Sequence, residues 1–449
     1  MTRKVGNVSI FLLKAALLTT VLGSFFSGQN FFYEQTLFYF WGNYIVLLIY
    51  AVNLILVSKV FNGFGFGSND LHEIILSWVL CLVVTNGLAY LLLSLLENRL
   101  LNIIGFLIVI AVQLVLVIPM AVIINNVYYV LHPAHKTTII YGSEDIAREY
   151  SAIIRRHRKK FIVHYALSQD LPQEELINRI EASETVFFLD VDIPNKERLL
   201  EHCFKHEKRI YILPTFSGVL LNTADISWIS NTPLFQSKSS VIDPVALFVK
   251  RCLDIFFSVL LLTALSWLML IIWIAVRLYD RHPAVYKQRR VTKGGRVFTL
   301  YKFRSMKPDA EADGVARLST LDDDRITPIG KFIRKTRIDE LPQLVNVLTG
   351  DMSLVGPRPE RPEIAKQYEE KYPGFSLRTK VKAGITGYAQ IYGKYNTAPD
   401  EKLFLDIIYI EKFSIWQDVK LIFQTIKVIF IPSSTEGIPE DLETALRNR

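Results

Sequence analysis

Two adjacent carboxylates, Asp339 and Glu340, stand immediately before a predicted helix. Pro342 suits the first turn of this helix and Gly350 suits its C-terminal cap. Backbone N–H groups and the helix dipole favour negative charge at such a helix start. An isolated Asp-Glu pair in this position is most simply explained by that dipole, so the pair alone does not predict catalysis.

Basic side chains on both sides of the carboxylate pair suggest chemistry on phosphate. Arg334, Lys335 and Arg337 lie within five residues upstream of the pair. Arg358 follows downstream between two prolines, which hold the backbone near an extended conformation. A guanidinium fixed in this way suits the bidentate geometry of phosphate recognition. We therefore interpret the carboxylate pair and Arg358 as parts of one functional site.

Three further segments each allow two interpretations. Lys302 and Arg304 lie on one face of a predicted strand, 298–304, and form either a phosphate clamp or a basic edge that faces anionic lipid. The glycine-bracketed turn 384–390 either contacts a nucleotide or is a plain hairpin turn. The helical pattern after Asp400 fits an interfacial amphipathic helix as well as packed core helices.

The composition favours a membrane protein. The chain has 449 residues, of which 51% are hydrophobic, and a formal net charge of +8. This apolar fraction excludes a disordered chain and disfavours an ordinary soluble enzyme. The basic residues cluster at the ends of apolar runs and around the carboxylates rather than beside base-stacking aromatics. We therefore expect membrane lipid, and no nucleic acid, as a partner.

Four long apolar runs fill the first quarter of the chain, and each has the roughly 20 residues that cross a bilayer. They are Val8–Phe26, Leu37–Val57, Ile74–Leu96 and Leu100–Ile124. Basic residues precede the first run, follow the second and accumulate after the fourth, whereas the other loops carry little positive charge. The positive-inside rule then puts both ends of this four-helix transmembrane bundle, residues 1–130, in the cytoplasm.

A fifth apolar run, Ile255–Val276, is flanked by basic residues on both sides. A simple span would place one basic cluster, or the charged C-terminal part, outside the cell. A re-entrant helix that bends at Ser266 keeps both on the cytoplasmic side, and the Ser266 hydroxyl can satisfy backbone groups freed at the bend. From charge alone we favour the re-entrant helix and keep the true span as the alternative.

Residues 131–249 are interpreted as a Rossmann-like α/β middle domain with a connector. Strand-like runs alternate with helical stretches from Thr137 to Leu213, as in a parallel sheet. The first strand–helix turn keeps only Gly142 of a dinucleotide fingerprint, which favours a structural or regulatory module over a nucleotide-binding one. Residues 215–249 look like an irregular connector. Residues 250–449 are expected to form the re-entrant helix and an α/β-rich cytoplasmic catalytic domain.

Motifs from Lys250 to the C-terminus resemble the bacterial sugar transferase family, the polyprenyl-phosphate hexose-1-phosphate transferases. In order, these motifs are Lys250–Asp254, Tyr301–Met306, Asp339–Leu344, Gly350–Ser353, Gly356–Pro359 and Gly384–Gly387. Members of the large monotopic phosphoglycosyl transferase type also carry four N-terminal spans and a degenerate Rossmann-like domain. Two positions depart from the family pattern, because Trp267 and Ala383 stand where the family usually has proline.

This resemblance implies a reaction and assigns roles to residues. Such proteins transfer a sugar 1-phosphate from a UDP-sugar to undecaprenyl phosphate with Mg²⁺, at the cytoplasmic face of the bacterial plasma (inner) membrane. They initiate exopolysaccharide, capsule or O-antigen synthesis. Asp339 is then the nucleophile and Glu340 its metal-associated partner, and both carboxylates belong to the metal site. The positions that match phosphate-binding motifs are Lys302, Arg304, Arg334 and Arg358.

The charge of the acceptor favours covalent catalysis. A phosphomonoester, with a second pKa of about 6, is already largely dianionic at neutral pH and needs no general base. Asp339 is better used to attack the β-phosphorus and to form an aspartyl-phosphosugar intermediate. We expect glucose or galactose as the sugar, ahead of N-acetylated sugars, and a chain that can form a homodimer. The alternative is a non-catalytic membrane scaffold or regulator of polysaccharide assembly.

Overall fold

The computed structural model describes residues 2–32, 41–229, 231–236, 243–307, 310, 325–393 and 398–430. The chain divides into two compact units, residues 1–214 and 215–449. The first unit contains four long apolar helices and a parallel sheet, and the second contains a fifth apolar helix and an α/β fold. The division into functional parts at residues 130 and 249 stays a prediction.

Four apolar helices occupy the N-terminal part of the first unit, namely α1 (Thr2–Phe32), α2 (Gly42–Val60), α3 (Leu71–Leu96) and α4 (Ile103–Leu131). They cover most of the four predicted apolar runs: Trp41 and residues 100–102 precede α2 and α4, and residues 37–40 lie outside the described residues. Together with a fifth helix in the second unit, they are long and apolar enough to cross a membrane. These helices indicate a membrane protein, and the number of true spans stays a prediction.

Buried polar side chains connect helices α1–α4. The Asn86 amide donates to Gln113 Oε1 at 2.6 Å, and Gln113 Nε2 donates to the Tyr50 hydroxyl at 3.1 Å and to the Val21 carbonyl at 3.4 Å. All three side chains are buried. Polar groups between apolar helices favour an arrangement that satisfies them, because an unpaired polar group in apolar surroundings is costly. These hydrogen bonds therefore fix the four helices relative to one another.

A four-stranded parallel sheet follows the apolar helices, with strand order β2-β1-β3-β4. Its elements are β1 (His135–Tyr141), α5 (Glu144–Arg156), β2 (Phe161–Ser168), α6 (Gln173–Glu181), β3 (Thr185–Leu189), α7 (Ile193–Lys205) and β4 (Arg209–Ile212). The predicted alternation of strands and helices is confirmed. A Cβ at Gly142 would lie 2.0 Å from the Asp190 carbonyl oxygen, so glycine permits a close approach of two loops there. This approach accounts for Gly142 without a nucleotide.

Segment 215–249 contains regular elements, and the prediction of an irregular connector was wrong. They are α8 (Phe216–Thr223), an antiparallel hairpin of β5 (Asp225–Ile229) and β6 (Thr232–Gln236), and the start of α9 at Pro244. Val219 of α8 is buried in a cluster with Leu403 and Ile407. Because this packing joins residues that are far apart in the chain, the local sequence pattern did not reveal it.

The second unit continues with α9 (Pro244–Asp280) and an antiparallel hairpin of β7 (Val285–Val291) and β8 (Val297–Phe303). Its other elements are α10 (Pro328–Lys335), α11 (Gln343–Thr349), β9 (Met352–Val355), α12 (Pro362–Lys371), β10 (Ala383–Thr386), α13 (Tyr388–Tyr392), α14 (Pro399–Glu411) and α15 (Ile415–Ile429). Strands β9 and β10 pair in parallel. The predicted α/β character is confirmed, and β8 corresponds to the predicted strand 298–304.

Helices α14 and α15 pack in the interior of the second unit. Ser414 caps the start of α15, so the helical pattern after Asp400 is divided into two helices. Tyr409 and Leu421 are buried in an apolar cluster, whereas Trp416 is exposed. This burial favours packed core helices over a helix that lies in the membrane interface.

Helix α9 is continuous over 37 residues and passes through Ser266 without interruption. The Ser266 hydroxyl donates to the Thr263 carbonyl at 2.9 Å, within the helix. Asp254 and Val276 are both buried against the rest of the second unit. Between them, residues 259–271 are mostly exposed and none is buried. Re-entry into the membrane with a bend at Ser266 stays a prediction.

Charged side chains anchor the first turns of α9 to the α/β fold. Lys250 forms an ion pair with Asp418 at 2.5 Å. Arg251 donates two hydrogen bonds, of 2.6 and 2.8 Å, to carbonyl oxygens in the last turn of α11. Asp254 is 5% exposed and accepts a hydrogen bond from the Leu354 N–H at 3.0 Å. The apolar helix is therefore fixed to α11 and β9, which lie between the carboxylate pair and Arg358 in the chain.

Replacing Asp254 tests this anchor. Asp254→Ala leaves the buried Leu354 N–H without its acceptor, which costs about 1–3 kcal/mol. We expect the unfolding midpoint of the detergent-solubilised protein to fall by several degrees, since 1 kcal/mol corresponds to about 2–4 °C for a domain of this size. Asp254→Asn keeps an acceptor oxygen and should lower the unfolding midpoint less. Equal melting of both variants and the wild type would contradict the anchor.

Candidate functional site

Asp339 and Glu340 lie in a short 3₁₀ turn, Ile338–Glu340, between α10 and α11. Both residues are buried, each with 9% of its surface exposed. Helix α11 starts at Gln343, with Pro342 as its N-cap, and ends at Gly350 in a left-handed conformation, φ 89°. The predicted helix limits are confirmed to within a residue. A dipole at a helix start does not require burial of two carboxylates, so their burial needs another explanation.

Three cations surround the Glu340 carboxylate and supply that explanation. Arg358 Nη2 donates a hydrogen bond to Glu340 Oε1 at 2.8 Å, and Lys302 Nζ lies 3.5 Å from the same oxygen. Arg337 Nη1 lies 4.0 Å from Oε2. A buried charge is tolerated only when it is paired, and Glu340 is paired on both of its oxygens.

The pKa values of the two neighbouring carboxyl groups are shifted in opposite directions. Burial opposes ionisation of Glu340, but Arg358, Lys302 and Arg337 together outweigh it and hold the pKa of Glu340 below its usual range. Burial and the negative charge of Glu340 raise the pKa of Asp339 to about 6, although Lys302, Arg334 and Arg358 partly compensate. Two adjacent carboxyl groups thus acquire different acidities, which is typical of functional sites.

The predicted phosphate ligands are only partly brought together. Lys302 and Arg358 contact Glu340, and Arg334 in the last turn of α10 lies close enough for its charge to lower the pKa of Asp339. Arg304 instead pairs with Asp280 at the end of α9, at 3.7 Å, and its contact with phosphate stays a prediction.

Arg337 is the site residue that the sequence left without a role. It adopts a left-handed conformation, φ 55°, just before the 3₁₀ turn, and this turns its side chain toward Glu340 three residues later. Spacing of three residues is a signal for such a pair within a helix, but these residues were predicted to lie just before the helix. Lys335, another upstream cation, is exposed.

Close glycine contacts position Arg358. A Cβ at Gly384 would lie 2.1 Å from the Gly356 nitrogen, and a Cβ at Gly387 would lie 2.3 Å from the Gly356 oxygen. Across this contact the Gly384 N–H donates to the Pro357 carbonyl at 2.9 Å. The turn 384–390 therefore supports the backbone that carries Arg358, and it is not a plain hairpin turn, because β10 pairs in parallel with β9.

Two further arginines hold the backbone around Arg358. Arg378 Nη2 donates to the Arg358 carbonyl at 2.9 Å, and Arg290 Nη1 donates to the Pro359 carbonyl at 2.9 Å. Glu360 lies between them, 3.5 Å from Arg378 and 3.8 Å from Arg290. With its backbone fixed, Arg358 still has a side chain that is 41% exposed, so its guanidinium can also meet a substrate.

The donor atoms of the carboxylate pair suit a hard divalent cation. Mg²⁺ prefers oxygen ligands and is usually bound through one or two carboxylates together with substrate phosphates. Asp339 and Glu340 offer two such carboxylates in neighbouring positions. The residues present therefore fit the Mg²⁺ that the sequence led us to expect.

A titration tests the acidity of Asp339. In protein without divalent cations, we expect Asp339 to take up a proton as the pH falls through about 6. Infrared difference spectra report this proton as a carboxylic C=O band, and Asp339→Asn should lack this contribution while it keeps the one from Asp406. Asp406, whose pKa burial also raises to about 6, should titrate in both proteins and serves as an internal reference.

A second variant separates the causes of the shift. Glu340→Gln removes the neighbouring negative charge, so the midpoint of Asp339 should move to lower pH. Identical bands in the wild type and Asp339→Asn would contradict the raised pKa of Asp339.

Comparison with known proteins places this site within a family. Residues 245–432 match the bacterial sugar transferase family, and this segment includes every residue of the site described above. A UDP-N-acetylgalactosamine-undecaprenyl-phosphate N-acetylgalactosaminephosphotransferase of Aeromonas hydrophila is 39% identical over 236 residues, which cover 52% of this chain and 55% of the relative.

Two other relatives have different sugars in their names. The undecaprenyl-phosphate galactose phosphotransferase of Salmonella typhimurium is 32% identical over 327 residues, 66% of this chain and 68% of the relative. The UDP-glucose:undecaprenyl-phosphate glucose-1-phosphate transferase of Escherichia coli K12 is 36% identical over 217 residues, 47% of this chain and 46% of the relative. The matched part thus spans between about half and two thirds of these relatives. The chain belongs to the bacterial sugar transferase family.

Proposed function

We propose that this protein transfers a hexose 1-phosphate from a UDP-sugar to undecaprenyl phosphate and releases UMP. The observation that carries the proposal is the buried Asp339 carboxyl beside a second carboxylate, Glu340, whose charge is balanced by three cations. The names of the relatives, which all contain undecaprenyl phosphate, support the acceptor, and the UDP-sugars in two of them support the donor.

Asp339 is proposed as the nucleophile of the first step. One of its carboxylate oxygens attacks the sugar-bearing β-phosphorus, a bond to phosphorus forms, and the bond between that phosphorus and the bridging oxygen breaks. UMP leaves with the electron pair of the broken bond. The hexose 1-phosphate is then held on Asp339 as a mixed anhydride.

The acceptor completes the reaction in the second step. An oxygen of undecaprenyl phosphate attacks the same phosphorus, and the Asp339 carboxylate leaves unchanged. Because the acceptor is already largely dianionic at neutral pH, no residue has to remove a proton from it. This assigns the carboxylates to nucleophilic and electrostatic roles and leaves no need for a general base.

The cations overcome the repulsion between an anionic nucleophile and an anionic diphosphate. Lys302, Arg334, Arg337 and Arg358 carry four positive charges close to the two carboxylates, which leaves an excess of positive charge for the substrate. Arg358 is the proposed phosphate contact, because its guanidinium is partly exposed and its backbone is fixed. Preorganised charges of this kind need no rearrangement during the reaction.

Asp339 and Glu340 would hold the Mg²⁺ ion of this reaction. When bound, it would supply positive charge to the diphosphate oxygens. Glu340 remains ionised in this site because its cations lower its pKa, so it is available as an oxygen ligand at neutral pH.

The second unit is proposed to lie on the cytoplasmic face of the bacterial inner membrane, with α9 as a re-entrant helix. On either side of the exposed apolar middle of α9, Asp254 and Val276 pack on the same α/β fold. A helix that crossed the membrane would need its ends on opposite sides of a hydrocarbon core about 30 Å thick. A helix that enters and leaves on one face would keep the lipid phosphate level with the site.

The remaining assignments extend this proposal to the whole chain. The four N-terminal helices are proposed as a transmembrane bundle, and the parallel sheet as a Rossmann-like structural or regulatory module. The reaction would start exopolysaccharide, capsule or O-antigen synthesis. Glucose and galactose stay our preferred sugars, although the relatives' names include N-acetylgalactosamine as well. A homodimer also stays a prediction.

Turnover with a panel of UDP-sugars tests the reaction and names the donor. With Mg²⁺ and undecaprenyl phosphate, we expect UMP release with at least one sugar. Asp339→Asn should lose at least about a thousandfold in rate, because it removes the nucleophile. Glu370→Gln makes the same carboxyl-to-amide change at an exposed position on α12 and should keep the wild-type rate.

Other outcomes of this assay have defined meanings. Turnover that survives in Asp339→Asn would contradict the covalent step while leaving the transferase assignment. No turnover with any UDP-sugar would instead favour a non-catalytic scaffold or regulator of polysaccharide assembly.

Cysteine labelling tests the topology of α9. In a background with Cys252→Ser, single cysteines replace Val245 and His282, which are exposed residues at the two ends of the helix. A membrane-impermeant maleimide should label neither in intact spheroplasts and both after permeabilisation. Leu100→Cys, in the loop between α3 and α4, should be labelled in intact spheroplasts. Labelling of only one end of α9 before permeabilisation would show that the helix spans the membrane.

A further inference from the structure

Helices α6 and α7 beside the parallel sheet bring two imidazoles and a carboxylate together. His202 Nε2 lies 3.8 Å from Glu181 Oε1, and the rings of His202 and His206 have centroids 4.3 Å apart. One ligand atom from each of the three residues lies within 4.8 Å of the others. These residues play no part in the proposed sugar transfer.

The two histidines come together because of helix geometry. His202 lies in the last turn of α7 and His206 caps that helix, so their spacing of four residues puts both rings on one face. Two histidines at this spacing are a common way to offer two nitrogen ligands to one metal ion. The C-terminal end of a helix also carries partial negative charge, which favours a cation.

A buried nitrogen atom without a hydrogen bond favours the binding of a metal ion by these three residues. His202 Nε2 is buried and makes no hydrogen bond within the described part of the chain. A polar atom buried without a partner costs free energy, which a metal–nitrogen bond would recover. The Glu181 side chain is 54% exposed, so an ion can reach the group from solvent.

The surrounding fold holds the three ligands in place. Lys208 donates hydrogen bonds to the carbonyl oxygens of Glu181 and Ser183, at 2.8 and 2.6 Å, and so ties the end of α6 to the residues after α7. Ile180 and Cys203 are fully buried in the apolar cluster between these helices. A site on fixed elements loses little conformational freedom when an ion binds.

We propose that Glu181, His202 and His206 bind one Zn²⁺ ion. Two imidazole nitrogens and one carboxylate oxygen are a donor set that Zn²⁺ accepts, with a water molecule as the fourth ligand of a tetrahedral site. Imidazole donors disfavour Mg²⁺, which prefers oxygen. The bound ion links the C-terminal ends of α6 and α7.

The positive charges of two lysines near the site repel a bound cation, and nearby oxygen atoms limit this repulsion. Lys205 and Lys208 both lie close enough for their charges to act on His202. The Lys208 ammonium is held by two carbonyl oxygens and is partly balanced by them. Ionised Glu181 adds a negative charge within the ligand group itself.

Zn²⁺ titration of the full-length protein in detergent tests the proposal. The protein carries no histidine tag, is first treated with a chelator, and is titrated in excess Mg²⁺ against a chromophoric chelator. Excess Mg²⁺ keeps Asp339 and Glu340 from contributing to the measured binding. We expect one Zn²⁺ per chain, and visible absorption of tetrahedral Co²⁺ when Co²⁺ replaces it.

Variants of the ligands and a matched control decide the outcome. His206→Ala and Glu181→Gln change exposed side chains and should weaken Zn²⁺ binding by at least about tenfold. His164→Ala, an exposed histidine on β2 outside the group, should bind like the wild type. Absence of 1:1 binding in the wild type would overturn the proposal. Equal Zn²⁺ affinity in His206→Ala and His164→Ala would overturn it as well.

Discussion

The charge of Glu340 is the constraint on which the rest of the site depends. A carboxylate with 9% of its surface exposed is costly unless it is paired, and Arg358, Lys302 and Arg337 provide that pairing. The fixed negative charge then acts on the neighbouring carboxyl group. Burial and this negative charge together raise the pKa of Asp339. One carboxyl group is thus a permanent anion in a cationic site, and the next is a poorly stabilised and more basic anion, as suits a nucleophile.

Much of the second unit can be understood as support for this charge arrangement. The contacts of Gly356 with Gly384 and Gly387 bring β10 and the following turn against the segment that carries Arg358. Arg290 and Arg378 fix the same segment by donating hydrogen bonds to its carbonyl oxygens. The anchored start of α9 joins this framework to an apolar helix. A lipid-linked acceptor would therefore meet a site whose cations are already in position.

The sequence predicted the parts of this arrangement that depend on local rules. Strand and helix alternation in the parallel sheet, the left-handed Gly350 at the end of α11, and the grouping of the carboxylate pair with Arg358 all follow from short-range patterns. Contacts over long distances in the chain were not predictable: the pairing of Arg304 with Asp280 and the packing of α8 on α14 are examples. Arg337 was not assigned a role, because its contact with Glu340 depends on a left-handed backbone conformation that the sequence analysis did not predict. Motif order also identified the family, which the comparisons confirm.

The most direct test of the account is to look for the phosphosugar on Asp339. The protein is incubated with Mg²⁺ and the UDP-sugar that supports turnover, without undecaprenyl phosphate, then quenched in acid, digested and analysed by mass spectrometry. The account predicts a hexose phosphate adduct on the peptide that contains Asp339, and its loss when undecaprenyl phosphate is added before the quench. An adduct on another residue, or UMP that forms only when the acceptor is present and without any adduct, would contradict the account.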